Sequence, residues 1–179
     1  MTPARSLKAR ALQWLAQREH SRVELRRKLL PHAVADVERA AVSGDLPPEL
    51  APAARVEAVL DWLEAHRYLS HERFVESRVH ARSARFGNLR IRQELKQHRL
   101  ALSPEAAQAL KDSELQRARA VRERKFAPGP GPVDAAERAR QARFLAGRGF
   151  SPEVIGRVLG RSGRADDEPD AADTDTAPG

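Results

Sequence analysis

Apolar residues recur at helical spacing along most of this chain, and the stretch 68–100 shows the pattern most fully. Ser70 is a predicted N-cap, and the apolar positions after it are Phe74, Val75, Val79 and Phe86. Gly87 and Asn88 then interrupt the pattern, since both tolerate the left-handed backbone conformation that ends a helix. A second apolar series follows at Leu89, Ile91 and Leu95. The stretch therefore predicts two helices joined at one glycine.

Similar patterns predict seven further helices. The first covers Ser6 to Arg18, and the second begins at Ser21 and ends at Pro31, because proline disfavours helical backbone in the residue before it. The segment after Pro31 extends at most as a loose helix, and Ser43 to Pro52 is predicted to be a loop. The remaining starts and spans are Val56–Leu63, Ser103, Glu114–Phe126, Asp134 and Ser151. Residues 128–132, between the helix that ends at Phe126 and the helix that begins at Asp134, form a predicted rigid break.

Nine helices in succession suggest three tandem three-helix repeats. The start signal Ser-Pro-Glu occurs at 103 and again at 151, and the series Ser21, Leu25, Leu29 matches Gly87, Ile91, Leu95. We predict an all-α fold with repeats at 1–66, 67–113 and 114–160, an inserted loop or extension at 32–54 and a disordered acidic tail at 161–179. A short three-helix unit buries little surface alone, so we expect neighbouring repeats to share a core. Chance matches among nine helices remain the alternative explanation of the repetition.

Composition narrows the class of protein. The chain has 179 residues, of which 41% are hydrophobic and 32% charged, and aromatic residues make up only 4%, which favours Leu/Val/Ala-packed helices over a β-sandwich. The absence of cysteine excludes disulfides and thiolate metal sites, and the default compartment is the cytoplasm. No apolar run is long enough to span a membrane.

Positive charge is concentrated in the body of the chain. The net charge is +7, but the segment from Arg164 onward contains one arginine and six acids; without it, 31 basic and 19 acidic residues leave a body of +12. Such a body predicts an anionic partner: nucleic acid, an acidic protein surface, or both. Biased codon usage explains arginine in place of lysine but does not create net charge.

Catalytic and metal-binding patterns do not occur. The six histidines have no zinc-ligand spacing, the chain has no nucleotide-binding P-loop, and no serine lies in a hydrolase motif. Glu76 and His80 are one helical turn apart, which is more typical of exposed surface pairs than of a metal site. We therefore predict that the protein is not an enzyme and holds no cofactor.

Basic residues are the remaining candidates for function. Arg78, Arg82 and Arg85 are spaced to share one helix stripe, and the partner or nucleic-acid-binding candidates are Arg73, Arg78, Arg82, Arg85, Arg90, Arg92, Arg26, Arg27, Lys28, Arg122, Arg124 and Lys125. The alternative is that these are solvated helix faces paired with Glu72, Glu76 and Glu94. Trp14 and Trp62 lie on apolar stripes and are predicted core residues.

Several short motifs together resemble the RecX family of bacterial regulatory proteins. They are Arg18-x-x-Ser21-x-x-Glu24-Leu25-x-x-Lys28-Leu29, Tyr68-Leu69-Ser70-x-Glu72-Arg73-Phe74, Gly87-x-x-x-Ile91-x-x-Glu94-Leu95, Arg124-Lys125-Phe126 and Gly149-Phe150-Ser151. The resemblance covers Leu7 to Leu159 and implies three tandem three-helix repeats in an elongated, curved array of right-angled helices. It also implies binding to the RecA recombinase and inhibition of its DNA-bound filament, ATPase and strand exchange.

The chain departs from the family pattern in three places. Arg67 and Arg99 stand where glycine is frequent at helix ends, so these turns should close without a left-handed residue. The segment 32–52 is longer than the pattern needs, and the acidic tail is extra. From its charge, the tail is a candidate competitor for the basic surface.

Two rival functions remain open beside a monomeric regulator of the RecA filament. The first is a DNA-binding helical module of the transcription-factor type, which would need base-reading side chains in the first turns of a recognition helix. Gly87-Asn88-Leu89-Arg90 offers some of these. The second is a helical scaffold without a nucleic-acid role.

Overall fold

A computed structural model describes residues 5–44, 51–126 and 134–160 of the chain. Within these ranges the protein forms nine helices and no strand, which confirms the all-α prediction. The first three helices are α1 (Leu7–Leu15), α2 (Arg22–Ser43) and α3 (Pro52–Ala65). The next three are α4 (His71–Ser83), α5 (Asn88–Gln97) and α6 (Pro104–Asp112). The last three are α7 (Glu114–Lys125), α8 (Ala135–Gly147) and α9 (Pro152–Leu159).

Side-chain caps define where most of these helices begin. Ser21 Oγ accepts a hydrogen bond from the Glu24 amide, Ser70 Oγ from the Arg73 amide and Asp134 from the Glu137 amide. Ser103 and Ser151, which precede Pro-Glu, cap α6 and α9 in the same way. Each cap satisfies one of the backbone N–H groups that the first turn leaves free, so the cap motifs seen in the sequence locate these helix starts correctly.

Three separate hydrophobic clusters hold the helices in groups of three. Leu25, Leu29 and Leu60 are among the fully buried residues of the first cluster, which joins α1, α2 and α3. The second cluster, around Phe74 and Ile91, joins α4, α5 and α6, and a third around Leu145 joins α7, α8 and α9. The three-helix grouping is therefore present, but the expectation of a shared core is wrong, since each group packs its own apolar residues.

Helix α2 continues through Pro31 to Ser43, and the prediction that proline ends it is wrong. Leu29 and Ala33, on either side of the proline, are fully buried in the first cluster. Pro31 itself is exposed, so its ring does not displace the side chains of the first cluster. Asp36 also accepts a hydrogen bond at 3.1 Å from Arg55 of α3, and packing thus outweighs the local penalty. The predicted break at 128–132, the tail at 161–179 and most of the loop at 43–52 lie outside the described residues.

Two arginines adopt the left-handed conformation at helix ends, contrary to the expectation that these turns would avoid it. Arg67 has φ of 59° and Arg99 has φ of 60°, while Gly149 has φ of 80° at the corresponding end of α8. The turns close through backbone hydrogen bonds, such as that from the Leu100 amide to the Leu95 carbonyl at 3.1 Å. Arginine therefore occupies a backbone position that suits glycine, and the left-handed conformation of an L-residue there costs some conformational energy.

The junction between the first two groups is polar and centres on Glu24. Its side chain is 11% exposed. It accepts hydrogen bonds from Arg18 at 3.0 Å, His20 at 2.9 Å and Arg78 of α4 at 3.2 Å. Ser21 shares a further hydrogen bond of 2.8 Å with His98, which lies at the end of α5. One buried carboxylate thus ties α2 to the second group.

Burial and the neighbouring charges have opposite effects on the pKa of Glu24 at this junction. Burial alone would raise the pKa of Glu24, but the hydrogen bond and charge of Arg18 and the bond from His20 prevail and lower it. The pKa of His20 is lowered by burial and by the nearby Arg18 charge, so the neutral ring donates its Nδ1 proton to the carboxylate. Burial likewise lowers the pKa of His98. The junction therefore holds an ionised glutamate and neutral histidines.

The junction between the second and third groups centres on Glu114 and Arg117, at the start of α7. Glu114 accepts hydrogen bonds from the amide and side chain of Asn88, both at 3.0 Å, and from the amide and hydroxyl of Ser151, both at 3.3 Å. Arg117 donates to Asn88 Oδ1 at 2.6 Å and to the carbonyls of Ser83, Phe86 and Leu110. Burial lowers the pKa of this guanidinium and Glu114 opposes the change. These bonds fix the third group against α5.

Gly87 is a contact point between groups and not a hinge that ends α4. Its φ of −81° is ordinary extended backbone, and it serves as the N-cap of α5. A Cβ atom at this position would overlap the Gly149 carbonyl oxygen and the Phe150 backbone. The Gly87 amide donates to the Arg148 carbonyl at 2.9 Å, and the Leu89 amide donates to the Gly149 carbonyl at 3.0 Å. Glycine is therefore required here by the close approach of two backbones.

The two tryptophans lie at the edge of the first cluster and are only partly buried, so their assignment to the core was too simple. Lys28 Nζ lies 4.1 Å from the centre of the Trp14 ring, and Lys8 Nζ lies 3.1 Å from that of Trp62. Trp62 also stacks on Tyr68 at 5.5 Å. Each indole covers the core with one part and meets a cation with another.

Candidate basic interface

Basic side chains line three depressions that follow one another along the molecule. The first, of about 740 Å³ between α2 and the end of α5, is lined by Arg22, Arg26, Arg27 and Arg99. The second, of about 360 Å³, is lined by Arg78, Arg82 and Arg90. The third, of about 220 Å³, is lined by Arg85, Arg124, Lys125 and Arg148. We call these eleven residues the basic track.

The depressions are linked by shared residues. His98 lines both the first and the second. The second and third meet at Phe86, whose ring is surrounded by guanidinium groups of both. The track therefore runs from the first three-helix group, across α4 and α5, to α7 and α8 of the third group.

Phe86 organises the centre of the track. Four guanidinium carbons lie within 6 Å of its ring centre: Arg90 at 5.0 Å, Arg82 at 5.5 Å, Arg148 at 5.6 Å and Arg85 at 5.8 Å. The negative face of an aromatic ring attracts such cations and tolerates their proximity to one another. The sequence places Arg148 far from the others, and the backbone pairing of Gly87 with Arg148 brings it to this ring.

Carboxylates neutralise only part of this cluster. Glu94 bonds to Arg82 at 2.9 Å and lies 3.7 Å from Arg90. Among the described residues, Arg85 and Arg148 have no carboxylate partner, and Lys125 of the third depression has none either. The third depression is consequently the most strongly positive part of the track, and its cations are open to an anionic ligand.

The first depression is more nearly balanced. Three carboxylates of α3 surround Arg22, namely Glu57, Asp61 and Glu64, at 2.6 to 2.7 Å. Burial alone would lower the pKa of Arg22, but the hydrogen bonds to Glu57 and Asp61 raise it. Arg26 also bonds to Glu57 at 2.6 Å, and these two arginines lower the pKa of that carboxyl. Arg27 is exposed without a carboxylate partner among the described residues.

The predicted stripe of Arg78, Arg82 and Arg85 is only partly present. Helix α4 ends at Ser83, so Arg85 lies beyond it and reaches the third depression instead. Arg78 is half-buried and bonds to Glu24, so it holds the first junction together. A substitution of all three would therefore change the fold of the junction as well as the surface charge.

The other predicted residues fall into two classes. Arg73 bonds to Glu19 at 2.8 Å, Arg122 to Gln141 at 2.7 Å, and Lys28 lies over Trp14, so each has a structural partner. Arg92 is exposed and lines none of the three depressions. The structure thus brings together Arg26, Arg27, Arg78, Arg82, Arg85, Arg90, Arg124 and Lys125, and leaves the other four outside the track.

The sequence prediction missed two residues of the track's centre. Arg148 was absent because no local pattern connects it to α4, and Phe86 was assigned only to an apolar stripe. Arg22 and Arg99 of the track, and His98, which borders its first two depressions, were likewise overlooked. A signal was available for Phe86, since five arginines lie within eight positions of it in the sequence.

No group of three or more histidine and acidic side chains in residues 5–44, 51–126 and 134–160 is arranged to hold a metal ion. None of the helices in the described part of the chain is both long and apolar enough to cross a bilayer.

Comparison with known proteins decides the family. Family models described as the second and third three-helix domains of RecX match residues 70–103 and 112–159. A regulatory protein RecX from Ralstonia nicotianae is 50% identical over 157 residues, which cover 86% of each chain. The chain belongs to the RecX family. Relatives with the same name from Leptothrix cholodnii and Pseudomonas syringae pv. tomato are 49% and 42% identical, over 88% and 91% of this chain and 89% and 94% of their own.

The RecX domain models overlap two of the three helix groups, although the model of the second domain ends at Ser103, before α6. The model of the second domain begins at the Ser70 cap of α4, and that of the third domain covers α7, α8 and α9. In this RecX chain the Phe86 cluster lies where those two domains meet, which places the most positive surface at a domain junction.

Proposed function

We propose that this RecX protein binds the RecA filament on DNA through the basic track and inhibits its ATP hydrolysis and strand exchange. It acts as a monomer in the cytoplasm and catalyses no reaction of its own. The observation that carries the proposal is a set of three cations at the junction of α4, α7 and α8 that have no carboxylate partner among the described residues. They are Arg85, Lys125 and Arg148. Family membership supports a regulatory role.

The mechanism follows from rigid, multivalent contact. Glu24 and the pair Glu114 and Arg117 fix the three groups against each other, so the cations of the track are held in place before binding. Several modest contacts on one rigid body then add up with little ordering cost. A body bound across neighbouring recombinase subunits would hinder the subunit motions that accompany ATP turnover.

The rival function, a sequence-specific DNA reader, receives less support. Asn88 was its main base-reading candidate, but this residue is 6% exposed and its side chain bonds to Glu114 and Arg117. A buried amide with both ends occupied cannot reach a base edge. The other polar side chain of that stretch, Arg90, lies over the Phe86 ring and near Glu94. The basic track is better suited to contact DNA phosphates than to read the edges of bases.

The test replaces two cations of the third depression that have no carboxylate partner in the described part of the chain. Arg85→Ala together with Lys125→Ala should weaken binding to RecA filaments about tenfold at low salt and reduce the salt dependence, because each lost phosphate contact lowers the salt slope by roughly 0.7 to 0.9. The matched control is Lys111→Ala with Arg92→Ala, which removes the same charge from exposed residues outside the track. Equal loss in both double variants would show that only net charge matters and would contradict the proposed track.

A further inference from the structure

We propose that an apolar groove on the third domain docks an amphipathic helix of a protein partner, one with carboxylates beside its apolar face. The groove has a volume of about 990 Å³ and runs across α8 and α9. This inference rests on the proposed function for the identity of the partner, the RecA subunit, and adds a protein-binding surface to the anion-binding track.

The floor of the groove is shaped for a helix. Four alanines of α8 face it, Ala135, Ala139, Ala142 and Ala146, with Ile155 and Leu159 of α9 alongside. The alanines are spaced at i, i+4, i+7 and i+11, so they form a straight stripe of about 16 Å at 1.5 Å rise per residue. Small side chains let a second helix approach closely, and the stripe matches about three turns of it.

A large exposed apolar residue borders the same groove. Leu89, the second residue of α5, lines it with a side chain that is 54% exposed. Its amide is anchored to the Gly149 carbonyl, so the backbone holds the side chain at the edge of the groove. An exposed leucine beside an apolar groove is typical of a protein-binding surface.

Charge selects the partner. Arg143 lines the groove, and Arg90 of the Phe86 cluster immediately follows Leu89 in the chain. An apolar helix flanked by carboxylates therefore complements the groove and the adjoining end of the basic track. DNA could pair with these cations through its phosphates, but it has no apolar side chains to pack against the alanines of the groove.

Two other occupants fit less well. A second copy of this chain would bring together two bodies of strong positive charge, since the net charge is +7 even with the acidic tail. The tail, residues 161–179, contains no leucine, isoleucine, valine, methionine or aromatic residue to fill the groove.

The first experiment uses the full chain and purified RecA without DNA. Ala139→Glu places a bulky anion on the exposed floor of the groove, and we expect binding to RecA to weaken at least tenfold while binding to naked single-stranded DNA stays within twofold of wild type. The matched control is Ala136→Glu, the same change on the same helix at an exposed position that does not line the groove. RecA binding by Ala139→Glu as strong as that of the wild type and of Ala136→Glu would overturn the inference.

A second experiment is independent of RecA. The probe is a synthetic helical peptide with leucines along one face and glutamates beside them, and the readout is the set of amide shifts in an NMR spectrum of the full chain. We expect shifts at α8, α9 and Leu89, and none of comparable size with a peptide in which lysines replace the glutamates. Absence of shifts, or equal shifts with both peptides, would contradict the groove assignment whatever the outcome with RecA.

Failure of the proposed function has a different signature. If wild type and Ala136→Glu both fail to bind RecA while the acidic peptide binds the groove, the partner is wrong and the docking surface stands. Sedimentation serves as a further check. Dimers of the wild type that disappear in Ala139→Glu would assign the groove to a second copy and overturn the inference.

Discussion

Replacement of Gly87 by alanine tests whether the domain junction depends on the contact of two backbones. The φ of −81° suits alanine, so the new residue meets no backbone penalty of its own. Its Cβ, however, would overlap the Gly149 carbonyl oxygen and the backbone of Phe150. Main-chain atoms cannot rotate away as a side chain does, so the third domain has to move.

The cost follows from what that movement breaks. Two inter-domain backbone hydrogen bonds, from the Gly87 amide at 2.9 Å and the Leu89 amide at 3.0 Å, would be lost or lengthened. Each contributes about 1 kcal/mol. Overpacking of a tight contact adds about 1 to 3 kcal/mol. We therefore expect Gly87→Ala to lower the free energy of unfolding by roughly 3 to 5 kcal/mol, a large share of the stability of a small protein.

Urea unfolding followed by circular dichroism measures this change, and hydrogen exchange of the Leu89 amide reports the junction directly. The control is Gly156→Ala, because a Cβ on that helical glycine meets open space. It should stabilise the protein by about 0.5 to 1 kcal/mol through helix propensity. A Gly87→Ala variant within about 0.5 kcal/mol of wild type, with the Leu89 amide still protected, would refute the backbone-contact explanation.

Two further predictions concern the other junction. Glu24→Gln should destabilise the protein by about 3 kcal/mol in urea unfolding at neutral pH, because Arg78 and Arg18 lose a shared buried anion; unchanged stability would mean that these ion pairs contribute nothing. Stability should also fall as the pH drops below the ordinary histidine value of 6.5, since burial lowers the folded-state pKa of His20 and His98 and the unfolded chain then binds more protons. The lowered pKa of Glu24 adds a further loss below 4.5. Urea midpoints measured from pH 8 to pH 4 check this, and a flat profile would show that the buried groups do not titrate as described.

The sequence predicts much of the fold because its signals are local. Serine and aspartate caps mark most helix starts, and apolar spacing identifies the buried residues of each group, such as Leu25 with Leu29 and Ile91 with Leu95. Pro31 misleads because its effect on α2 is decided by packing against α3. Arg67 misleads because an L-residue can occupy a left-handed turn when hydrogen bonds around it close the helix end.

The basic track is harder to predict from the sequence than the fold, because its residues come from distant segments of the chain. Eight of the twelve predicted basic residues line the track, but sequence spacing does not tell an exposed cation from one that a distant carboxylate neutralises. Arg78 looked like surface charge, and its partner Glu24 lies 54 positions away. The Phe86 cluster depends on Arg148, which only the backbone pairing at Gly87 brings close.

The most direct test of the proposed function is the rate of ATP hydrolysis by RecA on single-stranded DNA as this RecX protein is added. We expect the rate to fall with increasing protein. The Arg85→Ala, Lys125→Ala double variant should need about ten times more protein for the same effect, while the Lys111→Ala, Arg92→Ala control should match the wild type. A rate that stays constant at all protein concentrations would contradict inhibition of RecA. Inhibition by the Arg85, Lys125 variant at wild-type potency would remove the basic track from the mechanism.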